Sequence, residues 1–545
     1  MLRVRFPSRC IALAVFLPGF LLITEAGFSQ KPARKVEAPS RLTVIKPAPP
    51  EMCRLLDDPE QRTLMDGLLF NLLWSCGRQD ELGSVAGESG MEEAREKLDL
   101  ITAAASTTDA RPNNPAGEVG ATSTQSETSI TRNPLTGTLC SAFNDSGEFF
   151  GGGGGLTGFA RSTDGGQTWQ DNGAVGGISL GDPSLVWRRA DGSFYLATLA
   201  AGGSIALWVS TNDCQTFSHL SAPSASGGDD KEMLAVDNNP LSPHYGNLYL
   251  AWKDFSQTGA PIRATRSTDG GVTWSAPVTV ATGGATQGAW PAVAPNGHVF
   301  IAWIEFLPDN TITIHVARST TGGSFYNPRT SPLVNGVRPR DATATANCGR
   351  TALRGNIRYF ALPQITVDGK GVLHAVYSYD PDGFNTGDVI DVFHRRSING
   401  GATWSPEFRL NDDKTTSDQY FPTIQSDGSK VMATWYDRRL DPGNLLQDYY
   451  KRISTDSGLT WEASERVSDE SSPVVLNPEL AACYHGDYDQ SYVSVSGEAV
   501  QWSDDRDGDP DAWVDAVGLT PAVQENPITS LTATSSCQSL GADWN

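Results

Sequence analysis

The sequence of 545 residues is poor in basic side chains, with 41 Lys and Arg against 63 Asp and Glu and a formal net charge of −22. A nucleic-acid-binding protein needs a surplus of Lys and Arg to neutralise phosphates, so this balance excludes nucleic acid as a partner. Only 19% of the residues are charged whereas 39% are hydrophobic, a composition too apolar for a disordered chain. The length suffices for a large core, either in several domains or in one repeat-built domain.

Cysteine and histidine are also scarce, at 8 and 7 residues, and they form no metal-binding pattern. The cysteine spacings match no zinc motif and no His-Glu-x-x-His is present, so a transition-metal site is not expected. Cys53 and Cys76 either pair across a helical hairpin or stay as buried thiols. We expect no cofactor, with one alternative: a Ca²⁺ ion held by clustered carboxylates near the C-terminal end of the chain. Those carboxylates are Asp487, Asp504, Asp505, Asp507 and Asp509.

Long apolar runs are missing apart from one at the N-terminus, Ile11 to Ile23, which Pro18 and Gly19 interrupt. This run is too short and too broken for a comfortable membrane span. Arginines precede it and small residues follow it, so the pattern predicts an export signal over residues 1–29, with an uncleaved anchor as the alternative. We therefore expect a secreted, periplasmic or extracellular protein without a stable membrane span.

The rest of the sequence divides by composition. Leu and Met recur at three- and four-residue steps from Leu64 to Leu73, and a second such pattern covers Met91 to Leu100, which indicates helices packed on a main domain. Further along, short apolar runs alternate with Gly, Asn, Asp and Ser turns, which is typical of an all-β repeat architecture. The predicted segments are a linker at 30–50, a helical N-terminal extension at 51–115, an all-β domain at 116–520 and a C-terminal tail at 521–545.

One eight-residue pattern, Ser-Thr-Asp-x-Gly-x-Thr-Trp in its fullest form, recurs along the all-β domain. It predicts a β-hairpin turn in which the Asp or Asn side chain caps backbone N–H groups, Gly takes a positive φ and the aromatic ring packs on a neighbouring strand. We assign these residues a structural role and no catalysis. The three full copies begin at Ser162, Ser267 and Ser454, and three weaker copies begin at Ser210, Ser319 and Ser397.

A second pattern alternates with the first: a Pro or acidic residue before a strand, a Gly turn, and an aromatic–acidic end. Seven such starts with six repeat turns predict a β-propeller of four-stranded blades, with seven blades favoured. The stretch Val119–Thr124 would supply the last blade's missing strand and remove an exposed sheet edge. Six blades are the alternative, in which the last start completes the first blade. The starts lie at Glu127, Asp182, Lys231, Trp290, Leu362, Phe421 and Asp487.

The recurring turn resembles the Asp-box of the sialidase (neuraminidase) family and of other β-propellers, over about residues 117–520. The resemblance implies exo-cleavage of terminal sialic acids. It also implies an arginine triad on the sugar carboxylate, a Tyr nucleophile assisted by Glu, and an Asp acid/base. The first blade lacks the Arg-Ile-Pro motif that would carry the first arginine of the triad.

Candidate site residues follow from the meander of each blade. The repeat turns mark one face, here called the lower face, so residues that enter a first strand or leave a second strand converge near the axis on the upper face. Carboxylates, Arg and aromatic rings of that kind build glycan sites. The catalytic candidates are Asp182 as the acid, Glu305 as the base, Tyr488 or Tyr436 as the nucleophile, and Asp437. The substrate-binding candidates are Arg438, Arg439 and Arg506 as anion clamps, with Trp290 and Asp487.

Three functions remain open at this point. The first is a secreted sialidase-like glycoside hydrolase that acts on terminal sugars of glycans, including anionic ones. The second is a non-catalytic propeller that binds glycans or proteins, because Asp–Arg pairs at strand ends also serve as structural ion pairs. The third is a scaffold, which would be favoured if the helical extension covered the axial mouth.

Overall fold

The computed structural model describes residues 48–519 except for several internal gaps. The expected export signal, the C-terminal tail and the second helical pattern at Met91–Leu100 lie outside the described residues. The gaps are 59–60, 63–64, 66, 79–80, 82–108, 118–122, 152–153, 284, 329–331, 340–351, 383–389, 478–479 and 482.

Seven antiparallel sheets follow one another along the chain, and within each sheet the strands are ordered as in the sequence. Blade I contains β1 (Gln125–Arg132), β2 (Leu139–Asp145), β3 (Thr157–Ser162) and β4 (Gln170–Ala174). Blade II contains β5 (Ser184–Arg188), β6 (Ser193–Ala200), β7 (Ser204–Ser210) and β8 (Ser218–Ser224). Blade III contains β9 (Asp229–Val236), β10 (Leu248–Asp254), β11 (Ile262–Ser267) and β12 (Val278–Ala281).

The remaining blades repeat the same meander. Blade IV contains β13 (Thr286–Val293), β14 (Val299–Phe306), β15 (Ile312–Ser319) and β16 (Asn327–Pro328), with β17 (Val334–Val337) also paired to β15. Blade V contains β18 (Gln364–Val367), β19 (Leu373–Tyr379), β20 (Asp391–Ser397) and β21 (Phe408–Arg409). Blade VI contains β22 (Gln419–Asp427), β23 (Lys430–Asp437), β24 (Asp448–Ser454) and β25 (Glu465–Arg466). Blade VII contains β26 (Tyr492–Ser494), β27 (Gly497–Asp504) and β28 (Asp511–Val517).

The blades form a closed ring. The first strands contact one another in turn from β1 through β5, β9, β13, β18, β22 and β26 and back to β1. The chain is therefore a seven-bladed β-propeller, as the seven strand starts predicted, and the six-bladed alternative is wrong. The first strands surround the axis, and the hydrophobic core lies between blades, where one face of each strand packs on the next sheet.

A segment before blade I pairs with the last strand of the seventh blade. Ala110 pairs antiparallel with Val514 of β28, and each N–H donates to the other's carbonyl oxygen at 2.8 Å. Asp511, on the same strand, accepts hydrogen bonds from Arg111 and Asn113 at 2.6 Å. Of the stretch predicted to close the ring, Val119–Thr124, residues 119–122 lie outside the described residues; Thr124 exchanges hydrogen bonds with Ser146 at the end of β2.

The recurring turns have the hydrogen bonds that the sequence predicted. In blade I, Asp164 accepts the backbone N–H of Thr168 at 3.0 Å, and the hydroxyl of Ser162 accepts the N–H of Gly166 at 3.0 Å. Gly166 has a φ of 96°, which an L side chain rarely adopts. Each such turn joins the third and fourth strands of its blade, so these turns lie together on the lower face.

The helical extension packs on the upper face. It consists of α1 (Pro50–Cys53), a 3₁₀ turn (Arg54–Asp57) and α2 (Gly67–Ser75), and the disulfide Cys53–Cys76 joins its two ends. In the described part of the chain, no helix combines the length and apolarity that crossing a membrane requires. Short helices also occur at α3 (Ser146–Gly151) and in a 3₁₀ turn (Pro115–Gly117).

Two further cysteine links involve the propeller. Cys140 of β2 is bonded to Cys214, which lies in the recurring turn of blade II, so this disulfide ties the first two blades together. Cys483 is disulfide-bonded as well. The pairing of Cys53 with Cys76, one of the two alternatives left by the sequence, is formed.

Candidate active site at the propeller axis

Three successive blades begin with a residue in the left-handed region of the backbone. Glu127, Asp182 and Lys231 have φ angles of 52°, 53° and 50°, and a β-bulge accompanies the first and the third. A positive φ costs a non-glycine residue roughly 1–3 kcal/mol, so it persists only where the surrounding structure imposes it. The corresponding residues in blades IV and VI are Gly288, with a φ of 69°, and Phe421, with a φ of 46°, so the left-handed start is a feature of several blades. The turn directs the three charged side chains towards the axis, where they meet.

These side chains form a compact group with two others, which together we call the axial cluster. Lys231 Nζ lies 3.1 Å from Glu127 Oε1, 2.9 Å from Asp487 Oδ2 and 4.0 Å from Asp182 Oδ2. Arg358 binds Asp487 through both ends of its guanidinium group, with Nε donating to Oδ1 at 2.9 Å. All five side chains are no more than 3% exposed.

Burial and mutual charge separate the pKa values of the three carboxyl groups. Burial raises the pKa of Asp182 well above its ordinary value, and the neighbouring Glu127 raises it further. Burial also raises the pKa of Glu127, although Lys231 opposes this, and the two carboxyls share a hydrogen bond. At Asp487 the charges of Arg358 and Lys231 outweigh burial and hold the pKa below its usual range. The cluster therefore contains a carboxyl that keeps its proton beside one that is ionised, which suits acid–base chemistry.

Two tyrosines border the axial cluster. The ring of Tyr488 lies 4.9 Å from Lys231 Nζ and meets Trp290 edge-on at 6.1 Å. The ring of Tyr484 lies 4.5 Å from the guanidinium carbon of Arg358. Burial is the main reason why the pKa of each phenol is raised well above its ordinary value. Both tyrosines are therefore protonated when the site is closed.

Asn144 at the end of β2 fixes the geometry of this group. Its Nδ2 donates to Glu127 Oε2 at 3.0 Å and to the Tyr484 hydroxyl at 2.6 Å, while its Oδ1 accepts the backbone N–H of Asp182 at 2.9 Å. One amide thus holds the strand starts of blades I and II in register. Asn144 is a positioning residue for two carboxyls of the axial cluster.

Among the described residues, several buried polar atoms near the axis form no hydrogen bond. They are Asp182 Oδ2, the Tyr488 hydroxyl and both carboxylate oxygens of Glu232, the residue after Lys231. An unpaired buried polar atom costs about 1–3 kcal/mol. Burial also raises the pKa of Glu232 well above its ordinary value.

Helix α2 and the connection between blades VI and VII cover the axial cluster. Asp230, next to Lys231, accepts the backbone N–H of Leu68 at 2.9 Å. Phe70 packs in one hydrophobic group with Leu156, Leu480 and Tyr484. The mouth of the axis on the upper face is therefore closed.

A cavity of about 280 Å³ lies on the axis below the cluster and is lined by the first strands of the blades. Met233 and Trp290 line this cavity and belong to one hydrophobic group with Tyr488, whose ring borders the axial cluster. The residues at its outer end, such as Thr131, Val293 and Ser426, are only half-buried.

The structure brings together four of the ten site residues that the sequence suggested: Asp182, Trp290, Asp487 and Tyr488. Tyr436 and Glu305 lie elsewhere. The Tyr436 hydroxyl is buried and donates to Asp489 at 2.7 Å, whereas Glu305 is 41% exposed and lies 2.7 Å from His315. The roles assigned to these residues stay predictions.

Asp437, Arg438, Arg439 and Arg506 belong to the ends of the second strands in blades VI and VII. Asp437 accepts the indole N–H of Trp435 and pairs with Arg439, and Asp504 repeats both contacts with Trp502 and Arg506. Arg438 is fully buried against Asp418 at 3.3 Å. Within the described contacts these three guanidinium groups have no partner in common.

The carboxylates suggested for Ca²⁺ are dispersed among different partners. Asp487 belongs to the axial cluster, Asp504 pairs with Arg506, and Asp507 pairs with Arg111. Asp505 lies 2.9 Å from His485. Among the described residues, no group of three or more His, Cys, Asp or Glu side chains is arranged for a metal ion. These residues do not fit a shared cation.

Sequence reasoning missed Arg358 and the roles of Glu127, Lys231, Glu232 and Asn144. Glu127 and Lys231 were visible as strand starts, and their placement in successive blades was the available signal. Arg358 comes from the long connection between blades IV and V, where no repeat defines its position. Its backbone N–H donates to the carbonyl of Cys483 at 2.9 Å, and no sequence pattern around Arg358 predicts this contact.

No protein-family model and no curated protein matches the chain. Solved structures do match. A protein of unknown function from Dyadobacter fermentans is 16% identical with a TM-score of 0.38, covering 61% of this chain and 94% of that one. An ulvan lyase, a polysaccharide lyase, is 13% identical with a TM-score of 0.40, over 74% and 94%. The intramolecular trans-sialidase from Ruminococcus gnavus is 13% identical with a TM-score of 0.36, over 59% and 91%. This level of similarity concerns the fold alone.

Proposed function

We propose that the chain is a secreted glycan-acting hydrolase, sialidase-like in its chemistry, with its active site at the axial cluster. One observation carries the proposal: three blades adopt left-handed backbone at Glu127, Asp182 and Lys231 to bring acid, base and cation to one point. Strain of this kind is concentrated at functional sites, and separated carboxyl pKa values support acid–base roles.

Each group has a role in glycoside cleavage. Asp182 keeps its proton and donates it to the glycosidic oxygen of the leaving group. Glu127 accepts the proton of the Tyr488 hydroxyl, whose oxygen attacks the anomeric carbon; burial raises the pKa of Glu127, as a base requires, and Lys231 limits that rise. Water then attacks the anomeric carbon and gives a proton to Asp182, while the bond to the Tyr488 oxygen breaks and Glu127 returns the proton to that oxygen. Lys231 and Arg358 supply positive charge for anionic groups of the substrate. The sequence-based suggestion of Arg438, Arg439 and Arg506 as anion clamps stays a prediction.

The proposal predicts the effect of Asp182→Asn on turnover. We expect the full chain to hydrolyse at least one fluorogenic glycoside in a panel that includes sialosides. Loss of the acid should lower the rate about 10²–10⁴-fold. Because the pKa of Asp182 is raised, the protonated acid persists to higher pH than an ordinary Asp, and activity should fall as pH rises through that pKa.

Asp164→Asn is the matched control, since Asp164 lies in a recurring turn on the lower face. Its turnover should equal that of the wild type. The proposal would be contradicted if no glycoside in the panel were hydrolysed, either by the wild type or by a variant in which α2 no longer covers the axis.

A second candidate function rests on the cover over the axis. Helix α2 blocks the upper mouth, and every member of the axial cluster is buried. This arrangement favours a scaffold, and a non-catalytic secreted propeller that binds glycans or proteins is the other alternative to a hydrolase. Binding on a glycan array without product release would favour this function.

A further inference from the structure

The helices over the axis form a small unit with its own internal links. The disulfide Cys53–Cys76 joins α1 to the end of α2, and Arg78 pairs with Asp57 at 2.7 Å. Met52, Leu56, Met65, Leu69 and Leu73 pack together within this unit. We call α1, the following 3₁₀ turn and α2 the cap.

The cap is attached to the propeller without strand pairing. Its described hydrogen bonds to the blades include Leu68 N–H to Asp230 and Asn71 Nδ2 to the carbonyl of Ala200 at 3.0 Å. The other contacts are apolar, such as Phe70 against Tyr484 and Met52 against Phe255. An element held by side-chain packing and few hydrogen bonds can open without unfolding the sheets beneath it.

The position of the cap connects it to the axial cluster. Leu68 donates to Asp230, whose neighbour Lys231 binds Glu127 and Asp487. Phe70 packs on Tyr484, whose ring lies on Arg358. Displacement of α2 would therefore expose the charged groups and the unpaired atoms of Asp182, Glu232 and Tyr488 together.

We propose that the cap is an intramolecular lid over the axial cluster, and that the Cys53–Cys76 disulfide keeps it closed. The cap opens as a unit while the seven blades remain folded. Reduction of the disulfide frees the two ends of the cap, so the lid responds to the redox state of its surroundings. Its control of turnover, as distinct from its opening, rests on the proposed hydrolase function.

Hydrogen exchange followed by mass spectrometry tests the lid in the full chain. In Cys53→Ser/Cys76→Ser we expect exchange in α2 and at the first-strand starts around Glu127 and Lys231 to rise by at least about tenfold. Exchange in central strands such as β14 should not change. The matched control Cys140→Ser/Cys214→Ser removes the disulfide between blades I and II and should leave α2 as protected as in the wild type. If the cysteine variant does not fold, Phe70→Ala replaces it.

Two results would contradict the proposal that the cap is a lid. One is exchange of α2 at the rate of the central strands in every variant, which means that the cap opens only when the propeller unfolds. The other is faster exchange in α2 with unchanged protection at the strand starts, which means that the cap does not seal the axis. Turnover measured on the same samples separates the two proposals, because an opened axis without hydrolysis supports the lid and contradicts the hydrolase.

Discussion

At the scale of single residues, the axial cluster depends on charge pairs that no solvent reaches. Asp487 is ionised because Arg358 and Lys231 flank it, and Arg358 donates hydrogen bonds to its carboxylate from two nitrogens. A buried pair of this kind contributes little compared with an apolar pair, but removal of one partner leaves an uncompensated charge. The two residues therefore should be strongly coupled.

We predict that Arg358→Met lowers the free energy of unfolding by about 3–5 kcal/mol, because it leaves Asp487 with only one cation. The double variant Arg358→Met/Asp487→Asn should recover most of this loss, since Lys231 keeps Glu127 as its partner. Urea denaturation of the wild type, both single variants and the double variant gives the coupling energy. Additive losses would show that the pair is not coupled and would contradict this reading of the cluster.

The sequence predicted that the strand starts converge near the axis but could not show which side chains meet there. Asp182, Asp487, Tyr488 and Trp290 were found because the meander places strand starts near the axis. Arg358 could not be found, because its position depends on a long connection held by the backbone of Cys483. Arg439 and Arg506, which the sequence suggested as anion clamps, each pair with an Asp two residues earlier, which is the structural alternative that the sequence had left open.

At the scale of structural elements, the recurring turns are interchangeable modules. Asp164 accepts the N–H of Thr168 at 3.0 Å, and Asn212 and Asn399 accept the equivalent N–H groups at 3.1 and 2.9 Å. The amide nitrogens of these two Asn side chains donate to the Thr hydroxyl that otherwise donates to Asp. The turn therefore needs a capping oxygen and not a charge.

We predict that Asp164→Ala lowers the free energy of unfolding by about 1 kcal/mol, as loss of a capping oxygen does at a helix end. Asp164→Asn should lose much less, because Asn serves in the same place in two other blades. Thermal unfolding of both variants measures the difference, and glycoside turnover should be unchanged in each. Equal losses in the two variants would show that the carboxylate charge matters at this turn.

In the helical extension, the spacing of apolar residues predicts the helix but not where it packs. The Leu and Met spacing predicted α2, and a helix that is apolar all round is expected to be buried. Its location over the axis depends on Asp230 of blade III, Ala200 of blade II and Tyr484 of the connection between blades VI and VII. Periodicity within one helix carries no information about such partners, so the lid had to be seen in the structure.

At the scale of the whole molecule, the sequence repeat predicted the number of blades but not the contact of Ala110 with Val514 that closes the ring. Seven strand starts were readable because each blade repeats the same alternation of apolar residues and turns. The closing segment from Asp109 to Asn113 has no apolar run, and polar contacts with Arg506 and Asp511 hold it in place. A strand fixed by polar contacts to a distant partner leaves no hydrophobic period to read.

We predict that Ala110→Pro weakens the closure of the ring. Proline removes the N–H that donates to Val514, so the last blade loses a ladder hydrogen bond and regains an exposed edge. The free energy of unfolding should fall by about 1–3 kcal/mol, seen as a lower urea midpoint with an unchanged slope. Ala110→Ser keeps the N–H and is the matched control. Identical midpoints for the two variants would mean that the sheets of blades I to VII hold the ring closed without the N-terminal segment, since neither the hydrogen bond nor the covered edge would then contribute to stability.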